Sequence, residues 1–402
     1  MLLSLAYILI IGFVLSGIFQ KLHLPGFIGM LITGVVLGPN VLNLIDINIL
    51  NISADLREIA LVVILLRAGL TLNLKELKSV GRPAALMCFL PATFEIIAVV
   101  ILAPLLLGVS YVEAAIIGAM LAAVSPAVIV PKMIAIMEKG YGLDKNVPQI
   151  VLAGATADDV YAIVLFTTFL GMYSSGSFEW MSLVKIPLSI ITGVAAGFII
   201  GYLLALVFRK LHIRDTIKVF LILGACFVFV GVEEHISHYM PFSGLLAVMA
   251  LGVSILKFRE VAAKRIAVKF SKVWVAAEVV LFVLVGAAVD IKYIYISGIA
   301  AMLVILGALI VRTAGVLLSL IKSGLNLKEQ FFCSIAYIPK ATVQAAVGAI
   351  PLALGVASGN IILSVAVLSI IITAPLGAIL IDLTYKKMLQ PPKLAEVEAD
   401  SK

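Results

Sequence analysis

Long apolar segments dominate the sequence, and short polar segments separate them. Most of the apolar segments reach the ~20 residues that a helix needs to cross the hydrocarbon core of a bilayer. The second segment is shorter and rich in glycine. The pattern predicts an all-α polytopic membrane protein with about thirteen transmembrane helices. The predicted spans lie near residues 2–19, 26–38, 54–72, 83–107, 112–137, 148–172, 184–208, 216–236, 242–257, 273–289, 294–321, 328–353 and 358–383.

Composition supports a membrane protein. The chain is 63% hydrophobic and 13% charged, and its mean hydropathy is +1.22. A soluble domain would be about half apolar and a quarter charged. The net charge of +7 does not require a nucleic-acid partner. Most basic residues fall in every second loop, as the positive-inside rule requires of cytoplasmic loops. We therefore expect a bilayer as the environment, with the N-terminus outside, the C-terminus in the cytoplasm, and the plasma (inner) membrane as the location.

The domain organisation that we expect is simple. Residues 1–385 form one transmembrane domain, and residues 386–402 form a short polar cytoplasmic tail. The start of the chain has no basic residue and no small-residue cleavage site, so it is interpreted as a retained helix. Cys88, Cys226 and Cys333 lie in apolar spans without paired spacing and are interpreted as packing residues. No cofactor is expected.

Two predicted spans are interrupted near their middles by prolines, at residues 124–131 and 337–344. Proline lacks a backbone donor and disrupts the preceding helical turn. Paired interruptions in two halves of a chain point to a midplane binding site. The interrupted spans are seven apart and therefore antiparallel, which fits an inverted repeat of spans 1–6 and 8–13. Residues at or beside these breaks are candidates for lining a site: Ser125, Pro126, Thr156, Pro339 and Thr342.

Asp158 and Asp159 are adjacent in the middle of the sixth span. Each charge at the bilayer centre costs at least ~2.5 kcal/mol on insertion scales, and two neighbours also repel each other. Intramembrane carboxylates of this kind are typical of ion binding or proton relay. We therefore take both aspartates as candidate ion-binding residues.

Three further charged residues fall at a similar depth. At ~1.5 Å per residue, Glu95, Arg312 and Lys340 lie roughly 14–18 Å from the inner ends of their spans. Glu95 with Arg312 would be a permanent and mainly structural pair, because arginine does not lose its proton in proteins. Lys340 with Asp158 or Asp159 would be a switchable pair, because a buried lysine shifts its pKa readily. One aspartate would remain for a cation or a proton.

These segments resemble the cation:proton antiporter superfamily in its two-aspartate branch, close to the animal-type sodium/hydrogen antiporters. The resemblance rests mainly on Asp158-Asp159 together with the Pro-Lys-Ala-Thr-Val-Gln segment 339–344, and it extends over essentially the whole chain. It implies a homodimer with a scaffold part and a six-helix core, near residues 83–172 and 294–383, containing two crossed discontinuous helices. It also implies that Asp159 carries Na⁺ or Li⁺ and H⁺ in turn, while Asp158 pairs with Lys340.

The leading hypothesis is a secondary Na⁺(Li⁺)/H⁺ antiporter that works by alternating access and is not an enzyme. A K⁺/H⁺ antiporter and a sodium-coupled solute carrier are the alternatives within transport. An intramembrane aspartyl protease is the alternative from another class. Such a protease needs two aspartates that face one water, whereas adjacent residues on a helix point roughly 100° apart.

Overall fold

The computed structural model describes residues 1–22, 24–71, 81–174, 180–211, 213–236 and 240–391. All regular secondary structure in these ranges is α-helical. The helices of the first half are α1 (Leu2–Lys21), α2 (Gly26–Leu37), α3 (Ile47–Asn51), α4 (Ser53–Thr71), α5 (Arg82–Met87), α6 (Leu90–Leu107), α7 (Tyr111–Ala122), α8 (Pro126–Glu138) and α9 (Val147–Ser174). Those of the second half are α10 (Trp180–Lys210), α11 (Asp215–Ile236), α12 (Gly244–Phe258), α13 (Glu260–Ala287), α14 (Ile291–Ser319), α15 (Leu327–Ala336), α16 (Thr342–Val347), α17 (Ile350–Ala353) and α18 (Gly359–Met388).

The described helices are long and apolar enough for a protein that crosses the membrane many times. Within the described residues, 9 helical stretches meet the length and hydropathy of a membrane span. Shorter apolar helices add Gly26–Leu37, Gly244–Phe258 and Thr342–Ala353. The prediction of an all-α, multi-pass membrane protein is confirmed, whereas the number of thirteen crossings stays a prediction.

Two helices are interrupted at the prolines, as the sequence predicted, and the two interruptions are in contact with each other. The chain leaves helical geometry between α7 and α8, and again between α15 and α16. Pro126 is the first residue of α8, a position where the missing N–H costs nothing. The backbone N–H of Ser125 in the first break donates to the carbonyl of Pro339 in the second, at 2.8 Å. Residues far apart in sequence therefore meet at one point inside the helical bundle.

The interrupted helices have well-defined beginnings. Ser110 and Glu113 form a capping box at the start of α7, in which each side chain accepts from the other residue's backbone N–H. Asn326 and Glu329 form the same arrangement at the start of α15. These caps satisfy backbone donors that the first turn of a helix leaves unpaired.

Helix α13 differs from the prediction. The predicted spans 242–257 and 273–289 leave residues 258–272 as a connecting segment between two membrane helices. Instead, α13 begins at Glu260 and continues without a break to Ala287. Phe270 and Trp274 are buried on either side of the predicted boundary. The apolar face is thus continuous across the boundary, and no proline or glycine interrupts it before Gly286. Similarly, α18 ends at Met388, three residues beyond the expected end of the membrane domain.

Glycines allow the helices around α12 and α13 to approach closely. A Cβ atom at Gly34 of α2 would lie 1.9 Å from the carbonyl oxygen of Val283 on α13. A Cβ atom at Gly197 of α10 would lie 2.1 Å from the carbonyl oxygen of Ala247 on α12. Such contacts fit the small-residue packing of membrane helices. They also show that α10 packs against α12 within the protomer.

A second set of contacts forms the surroundings of the two breaks. Helix α6 packs against α7 and α14, α9 packs against α7, and α18 packs against α14 and α15. The side chains of α6, α9 and α14 therefore converge on the end of α7. This convergence brings together charged residues that are more than 60 positions apart in the sequence.

Candidate ion-binding site

Four charged side chains meet beside the breaks, out of contact with solvent. Glu95 on α6, Asp158 on α9 and Lys340 between α15 and α16 are 0% exposed, and Arg312 on α14 is 2% exposed. Charged groups are almost never buried to this extent unless they are paired. The structure places these four residues in one connected set of direct contacts.

Arg312 contacts two carboxylates at once. Its Nη1 atom donates to Oε2 of Glu95, so the predicted contact between these two residues is present. Its Nη2 atom donates to Oδ2 of Asp158 at 3.0 Å. The fork of the guanidinium group suits such double contacts, and its charge is permanent.

Lys340 contacts Glu95, which differs from the pairing with Asp158 or Asp159 that the sequence predicted. The Nζ atom of Lys340 lies 2.7 Å from Oε1 of Glu95 and donates to its Oε2 at 3.0 Å. Arg312 pairs with Asp158 in place of Lys340, through one of the two oxygens of that carboxylate. Glu95 is left as the acid shared by both cations.

The same cations also satisfy the end of α7. The last carbonyl groups of a helix have no partner within it, and in a membrane interior water does not replace one. Here three side chains from the second half of the chain donate to these carbonyls. Two of them are positively charged, which also suits the negative end of the helix dipole. The pairs are Gln344 with Met120 at 3.0 Å and with Ala123 at 2.9 Å, Lys340 with Leu121, and Arg312 with Ala122.

Each of the two aspartates keeps one oxygen that makes no hydrogen bond to the described residues. Oδ1 of Asp158 and Oδ1 of Asp159 are both buried, and neither has a hydrogen-bond partner among the residues that the structure describes. Asp159 as a residue is partly exposed, unlike Asp158. Unpartnered buried acceptors are rare and call for an explanation. A cation or a proton on these oxygens would provide one.

The residues predicted to line the breaks are distributed as follows. The hydroxyl groups of Ser125 and Thr342 are buried and unpartnered within the described part of the chain, like the aspartate oxygens. Pro126 begins α8, and Pro339 supplies the carbonyl that joins the breaks. Thr156 lies on α9, but its side chain is outside the described residues.

Sequence reasoning missed three polar residues of the site. Gln344 holds the end of α7, and Thr373 of α18 accepts from the backbone N–H of Lys340 at 3.0 Å. Tyr337 places its ring 5.4 Å from the guanidinium carbon of Arg312. Gln344 had a signal in the sequence, because it is an amide in an apolar span. Thr373 had none, because threonine also occurs on helices that only bond to their own backbone.

A half-buried acid within an apolar span was also missed. Glu278 lies in the middle of α13, within an apolar stretch, and interacts electrostatically with Arg67 on α4. Its position in the predicted span 273–289 could have identified it.

The fold and the site together define a class of protein. Buried carboxylates lie beside two helix breaks that contact each other inside a polytopic helical bundle. Discontinuous helices that meet near the midplane are typical of secondary transporters. The chain belongs to the sodium/hydrogen exchanger family: residues 6–387 match the family model described as "Sodium/hydrogen exchanger, transmembrane".

Known proteins agree with this assignment. The chain is 34% identical to sodium/hydrogen exchanger 9B2 of Homo sapiens over an alignment 409 residues long. The alignment covers 96% of this chain and 74% of the human protein. It is 32% identical to sodium/hydrogen exchanger 9B1 of Homo sapiens over 384 residues, covering 91% of this chain and 73% of that protein. These relatives are exchangers rather than enzymes.

The fold is also similar to a solved structure. The sodium proton antiporter MjNhaP1 from Methanocaldococcus jannaschii at pH 8 superimposes with a TM-score of 0.82. The match covers 96% of this chain and 97% of the other, at 20% sequence identity. It shows that the two chains share a fold.

Proposed function

We propose that the protein is a secondary Na⁺(Li⁺)/H⁺ antiporter in which cation and proton compete for Asp159. Membership of the sodium/hydrogen exchanger family supports antiport of these ions. The observation that carries the assignment of the site is the free Oδ1 of Asp159, beside a second aspartate whose other oxygen is held by Arg312. Asp159 is the carboxylate left over once the buried charges are paired.

The exchange follows from the charge of this carboxylate. An ionised Asp159 would attract a hard monovalent cation, and a protonated Asp159 would release it. Oxygen atoms are the ligands that hard cations prefer. The free Oδ1 of Asp158 and the hydroxyls of Ser125 and Thr342 are the further oxygens that support binding here. The unwound backbone carbonyls of the breaks are the remaining parts of the proposed site.

The charge pairing favours exchange of one proton per cation. Asp158 is paired with Arg312, which keeps its proton at every physiological pH. Lys340 is paired with Glu95 and with the carbonyl of Leu121, so it has no contact with the proposed carrier. If only Asp159 changes its protonation, the charge that enters equals the charge that leaves. We therefore propose electroneutral transport.

The proposed architecture is that of an alternating-access transporter. It has thirteen transmembrane helices in an inverted repeat with two crossed discontinuous helices, and the hydrogen bond from Ser125 to Pro339 supports the proposed crossing. The helices near residues 83–172 and 294–383 form the ion-carrying core, and the remaining helices form a scaffold and the surface of a homodimer. The basic loops support an N-terminus outside and a C-terminus in the cytoplasm. In the plasma membrane, this activity would serve pH homeostasis.

Flux measurements in proteoliposomes test this function. The purified protein is reconstituted with a pH-sensitive dye inside, and Na⁺, Li⁺ or K⁺ is added outside. Na⁺ and Li⁺ should each drive proton efflux, and K⁺ should not. Proton efflux with K⁺ alone would favour the K⁺/H⁺ antiporter instead. Absence of flux with all three cations, together with cleavage of membrane-embedded peptides, would favour the aspartyl protease.

A further inference from the structure

Tyr337 is a buried tyrosine whose hydroxyl group is not used in this conformation. It ends α15 at the second break and is 0% exposed. Its hydroxyl has no hydrogen-bond partner in the described ranges of the chain. Buried tyrosines usually find a partner for this group, so its unpaired state needs a reason.

The hydroxyl lies against α9 at a place where that helix has no side chain. A Cβ atom added to Gly154 would be 2.0 Å from the Tyr337 oxygen. The glycine therefore leaves the space that the hydroxyl fills. The sequence alone gave no reason for a glycine at this point in the middle of a long helix, where it costs stability relative to alanine.

Asp158 follows Gly154 by four residues on the same helix. Residues four apart lie on one face, about 6 Å apart along the axis. The Cα–Cβ bonds of a helix tilt towards its N-terminus, so the Asp158 side chain starts in the direction of Gly154. Its Oδ1 atom is buried and unpartnered. An unpaired donor and an unpaired acceptor thus occupy neighbouring positions along α9.

Arg312 contacts both Tyr337 and Asp158. The Tyr337 ring lies 5.4 Å from the guanidinium carbon of Arg312, and the Nη2 atom of Arg312 donates to Oδ2 of Asp158. A movement that changes the contact between Arg312 and Asp158 would therefore also change the surroundings of Tyr337.

We propose that Tyr337 is a positioning residue for Asp158. In a second conformation of the transport cycle, the hydroxyl group of Tyr337 donates a hydrogen bond to Oδ1 of Asp158. The contact requires a change of the Asp158 side-chain torsions and a shift of α9 smaller than one turn. It would keep Asp158 ionised and correctly oriented while Asp159 exchanges its cation for a proton. This inference rests on the proposed antiport function.

The test compares Tyr337→Phe, which removes only the oxygen atom, with the unmodified protein. The control is Tyr385→Phe, because Tyr385 is also buried but contacts Lys139 rather than the site. Sodium-driven proton flux in proteoliposomes gives the apparent KM for Na⁺ and its pH profile, and thermal melting in detergent gives stability. Tyr337→Phe should raise the apparent KM severalfold and shift the pH profile without lowering the melting temperature. Tyr385→Phe should leave KM and the pH profile unchanged.

Identical KM values and pH profiles for Tyr337→Phe and the unmodified protein would overturn the proposal. The proposed function fails separately, if the unmodified protein shows no sodium-driven flux at all. Gly154→Ala supplies a second test, because its methyl group would displace the hydroxyl. It should reproduce the KM defect when Tyr337 is present and add little to Tyr337→Phe. Fully additive defects would contradict the proposal even if one single variant were unstable.

Discussion

Asp158 and Arg312 form a buried ion pair, with 3.0 Å between Oδ2 and Nη2, and this pair gives the two adjacent aspartates different surroundings. Asp158 has a permanent cation on one oxygen. Within the described residues no ion pair holds Asp159, and its Oδ1 is buried and unpartnered there. Neighbouring carboxylates that differ in this way are suited to different roles, one fixed and one exchanging. Four predictions follow from this separation of roles and from the contacts around it.

Asp159→Asn should abolish sodium-driven and lithium-driven proton flux, because an amide neither carries a proton nor neutralises a cation. The variant should still insert and fold, because Asp159 holds no other part of the described structure by an ion pair. Flux in proteoliposomes, gel filtration and circular dichroism are the measurements. Asp55→Asn is the control, since Asp55 is exposed in the first turn of α4. Normal flux in Asp159→Asn would refute the assignment of the carrier.

Glu95→Gln should destabilise the protein by about 3–5 kcal/mol, because it leaves buried cations without their shared acid. Thermal and denaturant unfolding in detergent measure this loss. The double variant Glu95→Gln with Lys340→Met should recover part of the stability, since it removes one stranded charge. The remaining pair of Arg312 and Asp158 stays intact in that variant. If the two changes are strictly additive, Glu95 and Lys340 are not coupled.

The apparent KM for Na⁺ should rise as the pH falls. A proton on Asp159 excludes the cation, so more Na⁺ is needed to occupy the same fraction of sites. The maximal rate at saturating Na⁺ should change less than KM, because high Na⁺ displaces the proton. Initial rates across a series of Na⁺ concentrations and pH values measure both quantities. A constant KM with a collapsing maximal rate would indicate a separate pH gate instead of competition.

Gln344→Met should lower stability and transport together. The change keeps the size of the side chain but removes the donor from the end of α7. Each buried carbonyl that loses its partner costs about 1–3 kcal/mol. Gln330→Met is the matched control, since the Gln330 side chain donates to the carbonyl of Leu325 just before the start of α15. Equal melting temperatures for the two variants would show that Gln344 has no special role.

Local patterns predicted the helices and both breaks because these features depend on nearby residues. Apolar length determines a span, and prolines at residues 126 and 339 disrupt the helices that contain them. The extent of α13 was not predicted correctly. Its first turns look polar in sequence, and the buried face that continues through Phe270 is recognised only once neighbouring helices are in place.

The composition of the site was predicted better than its pairing. Counting residues along the predicted spans placed Glu95, Asp158, Arg312 and Lys340 at a similar depth in the membrane. Depth alone does not show which helices face each other. Two cations and three acids allow several pairings at that level. The contact between α6 and α14, together with the carbonyls at the end of α7, selects among them. Tertiary contacts of this kind are not encoded in the spacing of residues along one segment.

The end of α7 also has a consequence for biogenesis. Its carbonyl groups receive their donors from residues that lie 190 to 224 positions later in the chain. While the ribosome is still synthesising the second half, these groups are in the bilayer without their final partners. Completion of the ion site is therefore a late event, which depends on docking of α14 and α16 onto helices that were inserted long before. A chain that ends before Arg312 lacks all three of these donors, so the carbonyl groups at the end of α7 stay without them.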